Sequence, residues 1–208
     1  VAEPYADAPE ETGEWVVPPA ELHSIIGRAA DANLQVSAHA IGDEAIRTVL
    51  DAFGGTDPGG NRHRIEHAEL VDDELLERFA DSGAVASVQP NFLKWAKEGG
   101  LYDQRLGTER RTRTNRYSAM RSAGIHLAFG SDCMPLDPLF GIHQAVNAPV
   151  PDQRLSVTEA VRAYTFGSAY AGFDEDRLGT IETGKVADFV VLEESPWDRP
   201  EHIEDIEV

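Results

Sequence analysis

The sequence predicts an α/β fold built on a parallel sheet. Two observations carry that expectation. Short apolar stretches alternate with amphipathic stretches of helical length four times between Leu34 and Ala171. Helix start and stop residues punctuate the alternation, with Asp72 before and Gly83 after one helical stretch and Gly124 after another. Strands alternating with helices in this way form βαβ units.

Each element has its own local signal. Residues 1–17 carry Pro4, Pro9 and Gly13 and read as an irregular segment. A helix is expected from Pro18 to about Ala32, with Leu22, Ile25, Ile26 and Ala29 at helical spacing and proline suiting its first turn. Leu34–Ala38 is the first expected strand, and Asp43 is the expected cap of the helix Glu44–Phe53. His63–Glu66 is the second strand, followed by a helix between Asp72 and Gly83. Ala84–Val88 is the third strand. A longer segment, Gln89–Gly107, precedes a helix over Glu109–Ser122. Ile125–Phe129 is the fourth strand, and helices follow over Leu136–Asn147 and Ser156–Ala171. The tail differs in kind: Gly179, Gly184 and the run Phe189–Leu192 read as two or three strands outside the βα pattern. The expected division is therefore residues 1–172 and 173–208. Four βα units are half the number in a (β/α)8 barrel, which needs roughly 250 residues; a small open sheet also accommodates four strands.

Composition narrows the function. Acidic residues number 37 against 18 basic ones, for a net charge of −19. A surface this negative repels phosphate backbones and argues against nucleic-acid partners. The acids are dispersed and the only lysines are Lys94, Lys97 and Lys185, a pattern that fits either a halophile or a GC-rich genome. No run of 18 apolar residues is present, so no membrane-spanning helix is expected. The opening VAEPYADAPEETGEW lacks the basic and apolar regions of a signal peptide and a starting Met. It reads as the interior of a longer chain. A single cysteine, Cys133, excludes an internal disulfide and suggests a cytoplasmic setting.

The chemistry gathers at the strand ends. His39 follows the first strand, His67 the second, Gln89, Pro90 and Asn91 the third, and Asp132 the fourth. In a parallel sheet these ends share one rim, where active sites are built. Two imidazoles and a carboxylate are the ligand set of a hydrolytic divalent metal such as zinc. Such an ion activates water and polarises a carbonyl, and Asp132 is the candidate general base that shuttles the proton. Gln89, Asn91 and Met134 are candidate pocket-lining residues. His63 and His126 start their strands and so belong to the opposite rim, His23 and His143 fall in helices, and His202 is in the tail; none is expected to ligate. Asp132 also suits a plain Asx-turn. Glu66 alternates away from His67. P-loop, dinucleotide-fingerprint, Gly-x-Ser-x-Gly and HEXXH patterns are absent from the sequence.

Six segments, in order, resemble successive signatures of the amidohydrolase superfamily: VSAHAIGDEAI, RHRIEHAEL, ASVQPNFL, LAFGSDCMPLDPLFGIHQAV, LSVTEAVRAYTFGSAYA and LGTIETGKVADFVVLE. The matching branch resembles amidohydrolase family 3, with its N-substituted formamide deformylase-like and exoenzyme-regulatory-like members. The resemblance implies the C-terminal half of a TIM barrel plus strands of a small β-sandwich. It implies hydrolysis of non-peptide carbon–nitrogen bonds in a small-molecule substrate, with one or two divalent metals. It casts His39 and His67 as the ligands after barrel strands five and six, and Asp132 as the strand-eight ligand and base. The family's strand-one His-x-His pair and strand-four lysine have no match here and are expected upstream of Val1. A half-barrel has two open sheet edges, so self-association or pairing with the missing half is expected. The competing reading is a non-catalytic regulatory or truncated protein on a hydrolase scaffold.

Overall fold

The computed structural model describes residues 1–56 and 58–208. Four parallel strands, β1 (Ser37–Ala40), β2 (Arg64–His67), β3 (Val85–Val88) and β4 (His126–Phe129), form one sheet in the order β1-β2-β3-β4. Register is direct, with His39 opposite Glu66, Glu66 opposite Ser87, and Ser87 opposite Ala128. Sequential parallel pairing with helical crossovers is the half-barrel pattern that the alternation predicts. β1 and β4 each have one strand neighbour among the described residues.

The crossovers follow from local chemistry. α1 (Pro19–Asp31) begins on a proline, and α2 (Asp43–Phe53) packs against both α1 and β1. A single turn, α3 (Pro58–Asn61), leads into β2. α4 (Asp73–Ser82) is capped as the sequence suggests: the Asp72 carboxylate accepts from Leu75 N–H at 2.8 Å, and Gly83 closes the helix at φ 63°. The cap assigned to Asp43 is corrected. Gly42 occupies that position, and Asp43 lies inside the first turn, where its carboxylate accepts from Ala2 and Glu44 N–H groups. The segment after β3 is not plain loop. It holds a 3₁₀ stretch, Pro90–Trp95, and α5 (Leu101–Arg111), which is kinked at Gly107 with φ 78°. The single helix expected over Glu109–Ser122 is therefore two, α5 and α6 (Tyr117–Ser122). The turn between them is anchored by Asn115 N–H donating to Glu69 O at 2.7 Å.

After β4 come α7 (Pro138–Val146), capped by Asp137, and α8 (Val157–Arg162), which starts with a Ser156–Glu159 capping box. α8 runs through a π-helical stretch, Ala163–Gly167, into α9 (Ser168–Ala171). A Cβ at Gly167 would lie 2.0 Å from the Leu127 carbonyl oxygen, so only glycine lets this helix approach β4 so closely.

The sheet buries one face. Ala38, Ala40, Ile65 and Val88 pack on the helices with Ile46, Phe53, Leu75 and Phe79, whereas Ser37, His39, Arg64 and Glu66 point to the opposite, more open face. The expected tail strands do not form. Residues 185–199 contain no strand, and Phe189, Val190 and Val191 are exposed. A strand is stabilised by its ladder and its packed face; this run has neither among the described residues. No described helix is long and apolar enough to cross a membrane.

Candidate functional site

β1 and β2 bring two of the predicted residues into contact. The rings of His39 and His67 lie 4.5 Å apart, edge to face at 74°. Alternation alone would not achieve this. His67 is opposite Ala40 in the ladder, on the buried face, while His39 points to the open one. The backbone breaks the alternation: His67 has φ 74° and Ala68 φ 44°. Two successive non-glycine residues in the left-handed region end the strand and turn the imidazole towards His39. The end of β4 repeats the device, with Asp132 at φ 47° and Cys133 at φ 64°. Such conformations cost of order 1–3 kcal/mol each and cluster at functional sites.

The two imidazoles differ in setting. His39 is exposed and sits within β1, not just past it, because the strand ends at Ala40, two residues later than expected. His67 is buried. Burial holds its pKa below the ordinary histidine range, the neighbouring His39 pushes the same way, and Asp132 opposes. Its Nδ1 is sealed from solvent with no partner at full hydrogen-bond geometry, although the nearby Gln89 amide acts on the ring and opposes the downward shift; a buried imidazole nitrogen in this setting suits a metal ligand. The pair therefore fits two positions around a borderline-soft divalent ion. Asp132 is exposed in the loop beyond β4. Among the described residues, no three His, Cys, Asp or Glu side chains stand close enough together to share an ion.

The candidate lining residues are placed less simply. Gln89 is buried after β3, with Nε2 donating to Ser87 O at 3.3 Å and Oε1 unpartnered. Asn91 is fully buried and acts as a brace: Nδ2 donates to Pro135 O at 2.8 Å, and Oδ1 accepts from Tyr164 O–H at 3.2 Å. Met134 is reached by that brace through its carbonyl, at 3.3 Å. The five other histidines stay apart from the pair: His63 packs on Phe53, His126 stacks on Tyr170, and His143 faces Glu204.

Sequence reasoning missed Glu69. It lies two residues past His67, only 6% exposed, and Oε2 accepts from Tyr102 O–H at 2.7 Å. Burial pushes its carboxyl up to about 7; the Tyr102 hydrogen bond opposes this and the charge of Asp132 adds to it. A signal was present in His-Ala-Glu after a strand. Nothing in the chain order announced Tyr102, 33 residues away, as its partner. Glu69 and His39 both line a cavity of about 1030 Å³ that runs along the open edge of β1.

Comparison with known proteins gives this arrangement its family. The amidohydrolase family model matches residues 1–208, and the chain belongs to that family. It is 36% identical to the putative amidohydrolase YtcJ of Bacillus subtilis, a match that takes in 94% of this chain and 39% of that protein. It is 28% identical to N-substituted formamide deformylase of Arthrobacter pascens, over 86% of this chain and 35% of that one. A crystal structure of an uncharacterized metal-dependent hydrolase from Pyrococcus furiosus superposes with a TM-score of 0.83 at 37% identity, covering 94% of this chain and 41% of that one. The chain thus spans about two fifths of the length of these relatives, as expected of part of a barrel.

Proposed function

We propose that this chain is the C-terminal portion of a metal-dependent hydrolase of non-peptide carbon–nitrogen bonds, with His39, His67 and Asp132 in its metal centre. The observation that carries the reading is the His39–His67 pair, where the buried His67 Nδ1 has no partner at full hydrogen-bond geometry at the end of β2. The names of the relatives, an amidohydrolase and a formamide deformylase, point to the same bond class. The Pyrococcus furiosus protein whose structure this chain resembles is a metal-dependent hydrolase.

A divalent ion, zinc by the nature of the donors, supplies when bound a Lewis acid that polarises a carbonyl and acidifies water. The protein's own groups do the rest. Burial disfavours the charged form of His67, which suits an imidazole that offers a lone pair to a metal. His39, on the open face, approaches from the adjacent strand. Asp132 is exposed to solvent beyond β4, where its carboxylate takes a proton from water and returns it to the departing amine. The substrate is a small molecule, consistent with the names of the relatives.

A second reading, a non-catalytic protein on a hydrolase scaffold, is favoured by the lack of a three-ligand cluster among the described residues. Elemental analysis of the purified chain separates the two. The hydrolase reading expects bound divalent metal that falls several-fold in His39→Ala and in His67→Ala. Less than about a tenth of an equivalent, unchanged by either substitution, would overturn it.

A further inference from the structure

The loop that carries Asp132 is held from outside itself. Asp132 and Cys133 both occupy the left-handed backbone region, at φ 47° and 64°. Non-glycine residues stay in that region only where the surrounding structure over-determines them. Within the loop, Met134 N–H donates to Ser131 O at 3.3 Å. Among the described residues, the side-chain hydrogen bonds to residues 131–135 come from Asn91, whose Nδ2 donates to Pro135 O at 2.8 Å and to Met134 O at 3.3 Å. Asn91 follows β3 and is fully buried, so it ties the end of one strand to the loop beyond the next. The clamp is itself gripped. Tyr164 O–H donates to Asn91 Oδ1 at 3.2 Å, which fixes the amide with its N–H groups towards the loop. Tyr164 belongs to the π-helical stretch Ala163–Gly167, a distortion that recurs at functional sites, and its ring meets Phe129 edge-on at 5.4 Å. α7 leaves room for the pair: a Cβ at Gly141 would lie 2.0 Å from the Tyr164 hydroxyl and 2.6 Å from Asn91 Oδ1.

We propose that Asn91, gripped by Tyr164, is a positioning residue that holds the loop bearing Asp132 and so sets where that carboxylate stands. The inference rests on the proposed hydrolase reading, which gives Asp132 its role. Asn91 and Tyr164 act through the loop backbone and not by touching an ion or a substrate. The physical reason is preorganisation. A carboxylate on a loosened loop must be ordered each time it ligates, and that ordering is subtracted from the binding energy. Groups behind a metal ligand typically contribute tenfold or more to metal affinity for this reason.

Two measurements on the full chain test it. Cys133 is exposed and is the only cysteine, so a nitroxide attached there reports the mobility of this loop in the metal-free protein. Asn91→Leu keeps the side-chain volume but removes the clamp, and is expected to shorten the label's rotational correlation time several-fold. Tyr164→Phe keeps the bonds to the loop and frees the amide to turn, and should loosen the label less. Phe79→Leu opens a cavity in the core beneath α4 and controls for lost stability. It should leave the label as in wild type. The second measurement titrates cobalt(II) into the unlabelled chain and follows its visible absorption. Asn91→Leu should weaken cobalt binding about tenfold. In an Asp132→Ala background the same substitution should add nothing, because the effect runs through that carboxylate. A label indifferent to Asn91→Leu, or loosened equally by Phe79→Leu, would overturn the proposal. So would a tenfold loss of cobalt affinity that persists in the Asp132→Ala background. Should Asn91→Leu fail to fold, Tyr164→Phe decides both measurements. A wild type that binds no cobalt while its loop responds sinks the metal centre and keeps the clamp; cobalt bound with equal affinity in wild type and Asn91→Leu does the reverse.

Discussion

β3 and the tail run Phe189–Leu192 make an instructive pair. The tail run, Phe-Val-Val-Leu, is the more apolar and has the stronger β-propensity; β3 is only Val-Ala-Ser-Val. Yet β3 lies between two neighbours, with Val85, Ala86 and Val88 completely buried, while Phe189, Val190 and Val191 are 63%, 68% and 73% exposed. Strand formation was decided by what stood on either side, and the tail has no such neighbours within the described residues.

The sharpest way to break that comparison is to place a charge in each region. Val85→Asp puts an unpaired carboxylate at the centre of the sheet and should cost more than about 4 kcal/mol in denaturant unfolding, or prevent folding. An effect below about 1 kcal/mol would mean that the sheet centre is not what holds this chain together.

The next effect concerns Glu69 and carries a sign. Its folded pKa is near 7 against an ordinary 4.5, so ionising it costs the folded state more than the unfolded one. That penalty is absent below about pH 4.5, grows through the interval, and is complete above pH 7, at roughly 3 kcal/mol. Glu69→Gln removes it. Relative to wild type, the variant should gain stability as pH rises from 5 to 8; a difference independent of pH would show that the carboxyl is not shielded as described.

Gly167→Ala comes third. The added methyl meets the Leu127 carbonyl, and the helix can relieve it only by retreating from β4, at a cost of about 1–3 kcal/mol. Thermal unfolding measures it, and a neutral result would indicate a loosely packed β4. Asp72→Ala follows, removing the bond to Leu75 N–H for about 1 kcal/mol. Val190→Asp is the smallest, within about 0.5 kcal/mol of wild type. A larger loss would reveal that the tail run packs on something, and so sharpen the contrast with β3.

What was legible of the candidate site is the approach of His39 and His67, because chemistry and position coincided. His39, His67 and Asp132 stood at strand ends in the sequence, and parallel strands bring such ends to one rim. What was not legible is how His67 reaches His39. The period of two places them on opposite faces, and only the left-handed backbone at His67 and Ala68 brings the rings together. Asn91 shows the opposite failure. It was expected to line the pocket, but the Pro135 carbonyl ahead of α7 and the Tyr164 hydroxyl occupy both ends of its amide. Glu69 was invisible as a site residue because its meaning comes from Tyr102, a contact between segments distant along the chain.

By itself, then, the order of residues determined the βα alternation, the caps at Asp72 and Gly83, and the identity of the candidate ligands, since each depends on local periodicity or side-chain type. The tertiary structure alone decided three things: which apolar runs became strands, which face each strand-end side chain reached, and which carboxyl was buried against Tyr102. The physical reason is the same for all three. Ladder hydrogen bonds, backbone strain and desolvation depend on what lies across a contact, and sequence spacing does not record it.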